Sequence, residues 1–279
     1  MATPRLDRLL DEPLACDPAK LALACGDRRV SYAELSDLER RIATALHDAD
    51  LAGERVAFLL PNSIELVVCY LGCWRAGVTA VPFEYVDAPP EIAYGLRDSE
   101  ARWLIVHEEK LADLARIELE HTTLERILVV GTPATGHARF DDLLAVAPRA
   151  LPDVASDAIA FILYTSGSTA LPKGVEHSHA SAAGIVRSVL SALGPVDASS
   201  RMVVHDSVGH MGGWIEVFPL LWRGATIALE REFDAARFHA NLREWHPTIV
   251  GAHVDHLWQI VRHEGAQRED FAPVATVFT

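Results

Sequence analysis

The chain has 279 residues, with 25 lysines and arginines against 39 aspartates and glutamates, for a formal charge of −14. That acidic balance argues against a general binder of nucleic acid or anionic membrane, whose footprint is basic, and a chain that is 50% apolar is not of the disordered class. No run of about 18 apolar residues is present to span a bilayer, and acids interrupt the first twenty residues where a secretory leader has its apolar core, so the expectation is a soluble cytoplasmic protein of roughly two domains.

In chain order, Ser31-Tyr32-Ala33-Glu34 reads as a capping box opening a helix to about residue 47. The apolar run 55–60 is a strand stopped by Pro61-Asn62, and a helix follows over 64–75. Within it Cys69 and Cys73 are four apart on one face and read as buried, reduced thiols. Residues 78–83 are a strand ending near Pro82, and Pro89-Pro90 breaks the chain before a helix over 92–98. Strands at 103–107 and 126–130 flank a helix near 111–117, with 131–136 a loop. Another strand at 158–163 leads through a loop to a helix over 179–193. The alternation continues with strands at 202–205, 225–229, 248–251 and 274–278, and helices over 214–222, 233–245 and 254–263.

Strands alternating with helices of this length define βαβ units. The predicted fold is α/β, with mostly parallel β-sheets covered by helices. A weak boundary at 148–153 (PRALPD) divides it into subdomains 1–150 and 151–279.

The chemistry is concentrated in residues 164–175, YTSGSTALPKGV. Hydroxyls from Thr165, Ser166, Ser168 and Thr169, the glycines Gly167 and Gly174, and Lys173 lie within ten positions, directly after an apolar strand. Glycine brings backbone N–H groups close to an anion, hydroxyls donate to phosphate oxygens, and an ammonium adds a point charge. Lys173 is also one of three lysines in the chain, with Lys20 and Lys110. The spacing is not GxxxxGK[ST], which disfavours a Walker-type nucleotide triphosphatase. The bland alternative is an exposed Ser/Thr/Gly loop with an incidental lysine.

The segment resembles the signature loop YTSGSTGxPKGV of the adenylate-forming superfamily, which includes acyl- and aryl-CoA synthetases, luciferases and peptide-synthetase adenylation domains. The likeness extends through VSYAE at 30–34, RVAFLLPNSIELVVCYLGCWRAG at 55–77 and HMGGWIEVFPLLWRG at 210–224. Ala170 departs from the pattern, standing where the family usually has glycine, and His253 stands where proline is common. The resemblance implies the N-terminal portion of the large domain of these enzymes. It also implies ATP-dependent activation of a carboxylic acid as an acyl-adenylate, with Mg²⁺ assistance and release of pyrophosphate, followed by transfer to CoA or a carrier-protein pantetheine.

By the same resemblance Thr165, Ser166, Gly167, Ser168, Thr169, Lys173 and Gly174 hold the ATP phosphates, and His210 and Trp214 border the acyl pocket. Amino-acid-activating members place an aspartate after the aromatic residue at the His210 position. Met211 stands there, and an ammonium left unpaired in a pocket is costly, so a fatty, aryl or other simple acid is expected.

The resemblance also implies that the adenine, ribose and Mg²⁺ ligands, the hinge and the catalytic lysine lie outside these residues, and that this polypeptide alone does not complete adenylation. Two other readings are a non-catalytic homologue serving as a binding module and one half of a split ligase, with the last strand offering an edge for self-association. Metal sets of His253, His256 and His263, or of His177 and His179, match no standard ligand spacing and are set aside.

Overall fold

The computed structural model describes residues 5–117, 119–165 and 172–279. A short helix α1 (Asp11–Cys16) precedes a hairpin of β1 (Leu21–Cys25) and β2 (Arg28–Ser31). Helix α2 (Tyr32–Asp48) starts on the predicted capping box: the Ser31 N–H donates to Glu34 Oε2 at 2.7 Å, and the Glu34 N–H donates to Ser31 Oγ at 3.2 Å. Strand β3 (Arg55–Leu59), helix α3 (Ile64–Ala76) and strand β4 (Thr79–Pro82) follow.

Helix α4 (Pro89–Asp98) begins on the proline pair that was expected to break the chain ahead of it. Proline suits the first helical turn because the N–H it lacks has no intrahelical partner there. Next come β5 (Trp103–His107), α5 (Leu111–Leu114), β6 (Arg126–Val130), β7 (Ala138–Arg139) and α6 (Asp141–Leu144). Strands β8 (Ile159–Thr165) and β9 (Lys173–Ser178) flank the signature loop and lead into α7 (His179–Leu193). The chain continues through β10 (Arg201–Val204), α8 (Met211–Trp222), β11 (Thr226–Leu229), α9 (Ala235–Trp245), β12 (Ile249–Gly251), α10 (Val254–Arg262) and β13 (Thr276–Phe278).

These elements form two units. The first comprises Ser36–Pro61 and Glu65–Gly184 with the start of the chain up to Arg8. Its seven-stranded sheet has the order β7-β6-β5-β3-β4-β8-β9, parallel throughout except for the β8–β9 pair. Parallel strands covered on both faces are apolar along their length, as β3 and β5 are. Helix α3 contributes Tyr70 and Trp74 to a ring cluster with Phe58 and Phe161, and the Trp74 indole donates to the Ala160 carbonyl at 3.2 Å. Cys69 and Cys73 are buried and free on the same helix, and burial pushes both thiols up from their ordinary range.

The second unit comprises Leu9–Leu35, Asn62–Ile64 and Ile185–Thr279. Its six-stranded sheet runs β13-β12-β10-β11-β1-β2, with only β1–β2 antiparallel. The buried Tyr32 hydroxyl donates to the Ala225 and Leu221 carbonyls at 2.7 and 3.1 Å and ties the turn after α8 in place. Strands β8 and β9, which follow residue 150, complete the first sheet, while β1 and β2 complete the second, so the units are interleaved along the sequence. Among the described residues no helix is long and apolar enough to cross a membrane.

Candidate functional site

In the first unit, β8 leaves the sheet at Thr165 and β9 returns at Lys173. The antiparallel register pairs Thr165 with Lys173 and Tyr164 with Gly174, and directly opposed residues point to the same face of a sheet. Thr165 and Lys173 therefore share a face at the mouth of the loop, and both are exposed. Gly174 lies under Tyr164: a Cβ there would stand 3.3 Å from Cζ of that ring and 2.9 Å from Ile162 Cγ2. Tyr164 is locked across it by donating to Asp98 Oδ2 at 2.9 Å and to the Gly95 carbonyl at 3.2 Å. Absence of a side chain at position 174 is thus a packing requirement, whatever else its backbone contacts. Ser166, Gly167, Ser168 and Thr169 lie outside the described residues, as does Ala170.

The second unit presents the carboxyl ends of β10 and β12. These strands pair in parallel through Met202 and Ile249, and β10 has β11 on its other side. The connection from β10 runs to β11 on one side and that from β12 to β13 on the other, which makes the adjoining ends of β10 and β12 a topological switch point, the usual place for a ligand crevice in such sheets. Asn62, which follows Pro61 after the β3 run, organises this end. Its amide donates to the carbonyls of Asp206 and Glu230 at 2.8 and 3.0 Å and accepts from the Val208 N–H at 2.8 Å. Helix α8 then presses onto the loop through Gly213, where a Cβ would stand 2.5 Å from the Ser207 carbonyl.

His210 caps α8. Its ring is exposed, and Nδ1 accepts from the Gly212 N–H at 3.2 Å. Trp214, one turn on, is fully buried against Phe218 at 5.3 Å between ring centroids. Of the two residues expected at an acyl pocket, His210 therefore reaches solvent while Trp214 packs behind it. Glu216 is also buried on α8, its Oε2 lacks a hydrogen-bond partner, and burial with the neighbouring Asp206 charge holds its carboxyl well above the usual range.

At the switch point His205 and Asp206, which were not grouped with them from the sequence, join His253 and His256. His205, Asp206 and His256 bring one ligating atom each to within 4.8 Å of one another, and His253 Nε2 lies 3.3 Å from Asp206 Oδ2. Burial pulls the His205 imidazole down to about 4. The signal available was position: 205–206 stand at the end of one predicted strand and 253–256 just beyond another. Of the first histidine set weighed from the sequence, His253 and His256 come together at 5.7 Å between ring centroids while His263 stands apart, and the second set, His177 and His179, is not assembled. His263 stacks on His239 at 5.1 Å, about 10 Å along the helix from His256. His177 stacks on Phe161 at 4.7 Å, and His179 is buried at the start of α7.

Two mostly parallel sheets with a hydroxyl- and lysine-flanked loop at one strand end and a switch point at another define an α/β protein of the class that binds ligands at strand ends. The chain belongs to the AMP-binding enzyme family, whose model matches residues 10–279. It is 33% identical over 265 residues to the 3-hydroxybenzoate–CoA/4-hydroxybenzoate–CoA ligase of Thauera aromatica, an alignment covering 88% of this chain and 48% of that one. A solved structure of the anthranilate CoA ligase AuaEII in complex with anthranoyl-AMP superposes with a TM-score of 0.83 at 26% identity, covering 90% of this chain and 50% of the other. The N-terminal domain of FACL13 from Mycobacterium tuberculosis superposes at 0.84 with 25% identity, covering 97% and 68%. The chain thus spans about half or less of the length of the curated relatives it matches.

Proposed function

We propose that this chain supplies the ATP-phosphate and acyl-binding part of an acid–thiol ligase. In that reaction a carboxylate oxygen attacks the α-phosphorus of ATP, the bond to the β-phosphate bridging oxygen breaks, and pyrophosphate leaves. A thiol, of CoA or a carrier pantetheine, then attacks the acyl carbon and AMP departs. The difficulty is the approach of two anions, which positioning and charge neutralisation resolve. Lys173 and Thr165 meet the polyphosphate from one face of the hairpin, and Ser166, Gly167, Ser168, Thr169 and the Gly174 backbone complete the cradle. Mg²⁺ screens the phosphates when ATP is bound, and no residue of this chain is assigned as its ligand.

The acid is a fatty, aryl or other non-amino acid. Met211 offers no charge to an ammonium, and Asp206, beside the same turn at Gly212, is held by His253 at 3.3 Å. The hydroxybenzoate and anthranilate substrates in the names of the relatives favour an aryl acid. His210 faces the acid from the start of α8, with Trp214 fixing that turn from the core.

The observation that carries the reading is the pairing of Thr165 with Lys173 at the mouth of a loop that follows a buried strand. Isothermal titration of the chain with ATP and with inorganic pyrophosphate tests it. Saturable binding of both is expected, weakened about tenfold or more for pyrophosphate in Lys173→Ala, as loss of a charge-assisted contact implies. Equal affinity in the two proteins would overturn the assignment.

A further inference from the structure

The carboxyl ends of β10 and β12 hold a constellation in which the ligase reading gives His205 and His256 no task. His205 follows β10 and is 6% exposed, and neither ring nitrogen has a hydrogen-bond partner. Asp206 is next, its backbone carbonyl pinned by Asn62 at 2.8 Å. From the other strand, the first turn of α10 projects His253 and His256, and residues three apart lie on one side of a helix. His256 Nδ1 is likewise buried without a hydrogen-bond partner.

The rings are held rather than loose. His256 stacks on Phe233 at 4.0 Å and 11°, and the same phenylalanine lies 4.9 Å from His205. His205 and His256 stand 5.2 Å apart between centroids. Asp206 divides its two oxygens, Oδ1 lying 3.8 Å from His205 Nε2 and Oδ2 lying 3.3 Å from His253 Nε2.

Buried polar atoms in native proteins find partners, so a nitrogen facing a carboxylate and another bare nitrogen calls for a group that accepts lone pairs from all three. A proton serves one of them. A metal ion serves all. Two imidazoles and one carboxylate are the donors of zinc and its first-row neighbours, whereas magnesium and calcium take oxygen alone. Ligands of a tetrahedral zinc lie about 3.3 Å apart, given bonds of roughly 2.0–2.1 Å. The present spread of up to 4.8 Å closes with a modest rotation of His256 and Asp206, both half-buried. His253 then holds the outer oxygen of the ligating carboxylate, the arrangement by which second partners orient a metal ligand.

We propose that His205, Asp206 and His256 form a binding site for a first-row divalent cation of the zinc type, with His253 positioning Asp206. The site stands independently of the nucleotide loop, since none of its residues belongs to that segment. Its solvent side, where His253 is exposed, leaves a coordination position for water or for an oxygen of a bound acid.

Titration of the chelator-stripped chain with Zn²⁺ alone, followed by calorimetry, tests this, alongside the visible spectrum after loading with Co²⁺. One saturable equivalent of zinc is expected, together with the strong visible bands of four- or five-coordinate cobalt. His256→Ala and Asp206→Asn should weaken zinc binding by about a hundredfold and abolish those bands. His253→Ala should weaken binding by about tenfold, the scale of an outer partner, and the exposed His121→Ala should leave it unchanged. Circular dichroism melts establish that the variants fold, and the wild-type cobalt spectrum needs no variant at all. Absence of one-to-one zinc binding, pale six-coordinate cobalt bands in the wild type, or wild-type affinity in folded His256→Ala and Asp206→Asn would each overturn the site. Pyrophosphate titration of the same preparations reports the nucleotide reading separately.

Discussion

His179 opens α7, and it is buried with neither ring nitrogen hydrogen-bonded. Burial lowers its imidazole below the ordinary 6.5, against a smaller opposing pull from the Asp7 charge. Above pH 6.5 the ring is neutral folded and unfolded, and pH has no leverage through it. As pH falls below 6.5 the unfolded chain takes up a proton that the folded chain resists, so stability is lost down to the depressed folded value. The slope from one such group is at most about 1.4 kcal/mol per pH unit. His179→Leu removes that proton uptake. The fall in stability between pH 7.5 and 5.5, read from the melts, should therefore be smaller in the variant, by no more than that linkage ceiling allows. Equal falls in the two proteins, measured by calorimetry at both pH values, would show that the ring is solvated or paired in solution.

Helices α2 and α3 carry a charge pair that periodicity does not reveal. Arg75 Nε lies 2.9 Å from Glu39 Oε1, and the carboxylate is fully buried. Breaking one side of a buried pair costs about 3–5 kcal/mol, whereas replacing both with apolar groups of similar volume is often neutral. Arg75→Met should lower the unfolding free energy extrapolated from urea melts by that amount, and Glu39→Leu combined with Arg75→Met should recover most of it. A double variant no better than the single one would assign the loss to the arginine stem.

The pair also marks what could be read beforehand. The Ser31–Glu34 capping box, the apolar strands at 103–107 and 126–130 and the helix at 179–193 are local patterns, and they stand as expected. The hairpin β1–β2 escaped notice because its second strand is charged and short, and β9 because its residues are mostly exposed and carry no alternation. The signature loop was legible as one contiguous segment. The crevice at β10 was not, because Asn62, His205 and His256 come from three separate stretches that only strand pairing brings together.

At the scale of the whole chain, the path of the sequence through the two sheets sets a constraint on how it can be divided. Strand β4 pairs with β8 through Ala80 and Phe161, and β1 pairs with β11 through Leu23, Ala24 and Cys25. A cut between residues 150 and 151 separates the partners in both cases. The 1–150 piece then keeps β4 with an open, apolar edge and β1–β2 as an isolated hairpin, and the 151–279 piece keeps β8–β9 without a sheet to join. Two-stranded hairpins are marginal in water, and open apolar edges recruit one another. Neither piece should give a cooperative melt or a near-ultraviolet circular dichroism spectrum like that of the intact chain, and 1–150 should aggregate. Co-refolded at equal concentration, the pieces should restore one cooperative transition, because every strand then regains its neighbour. A sharp, native-like melt of 1–150 by itself would show that the expected subdomains fold independently and that the shared strands contribute little to either sheet.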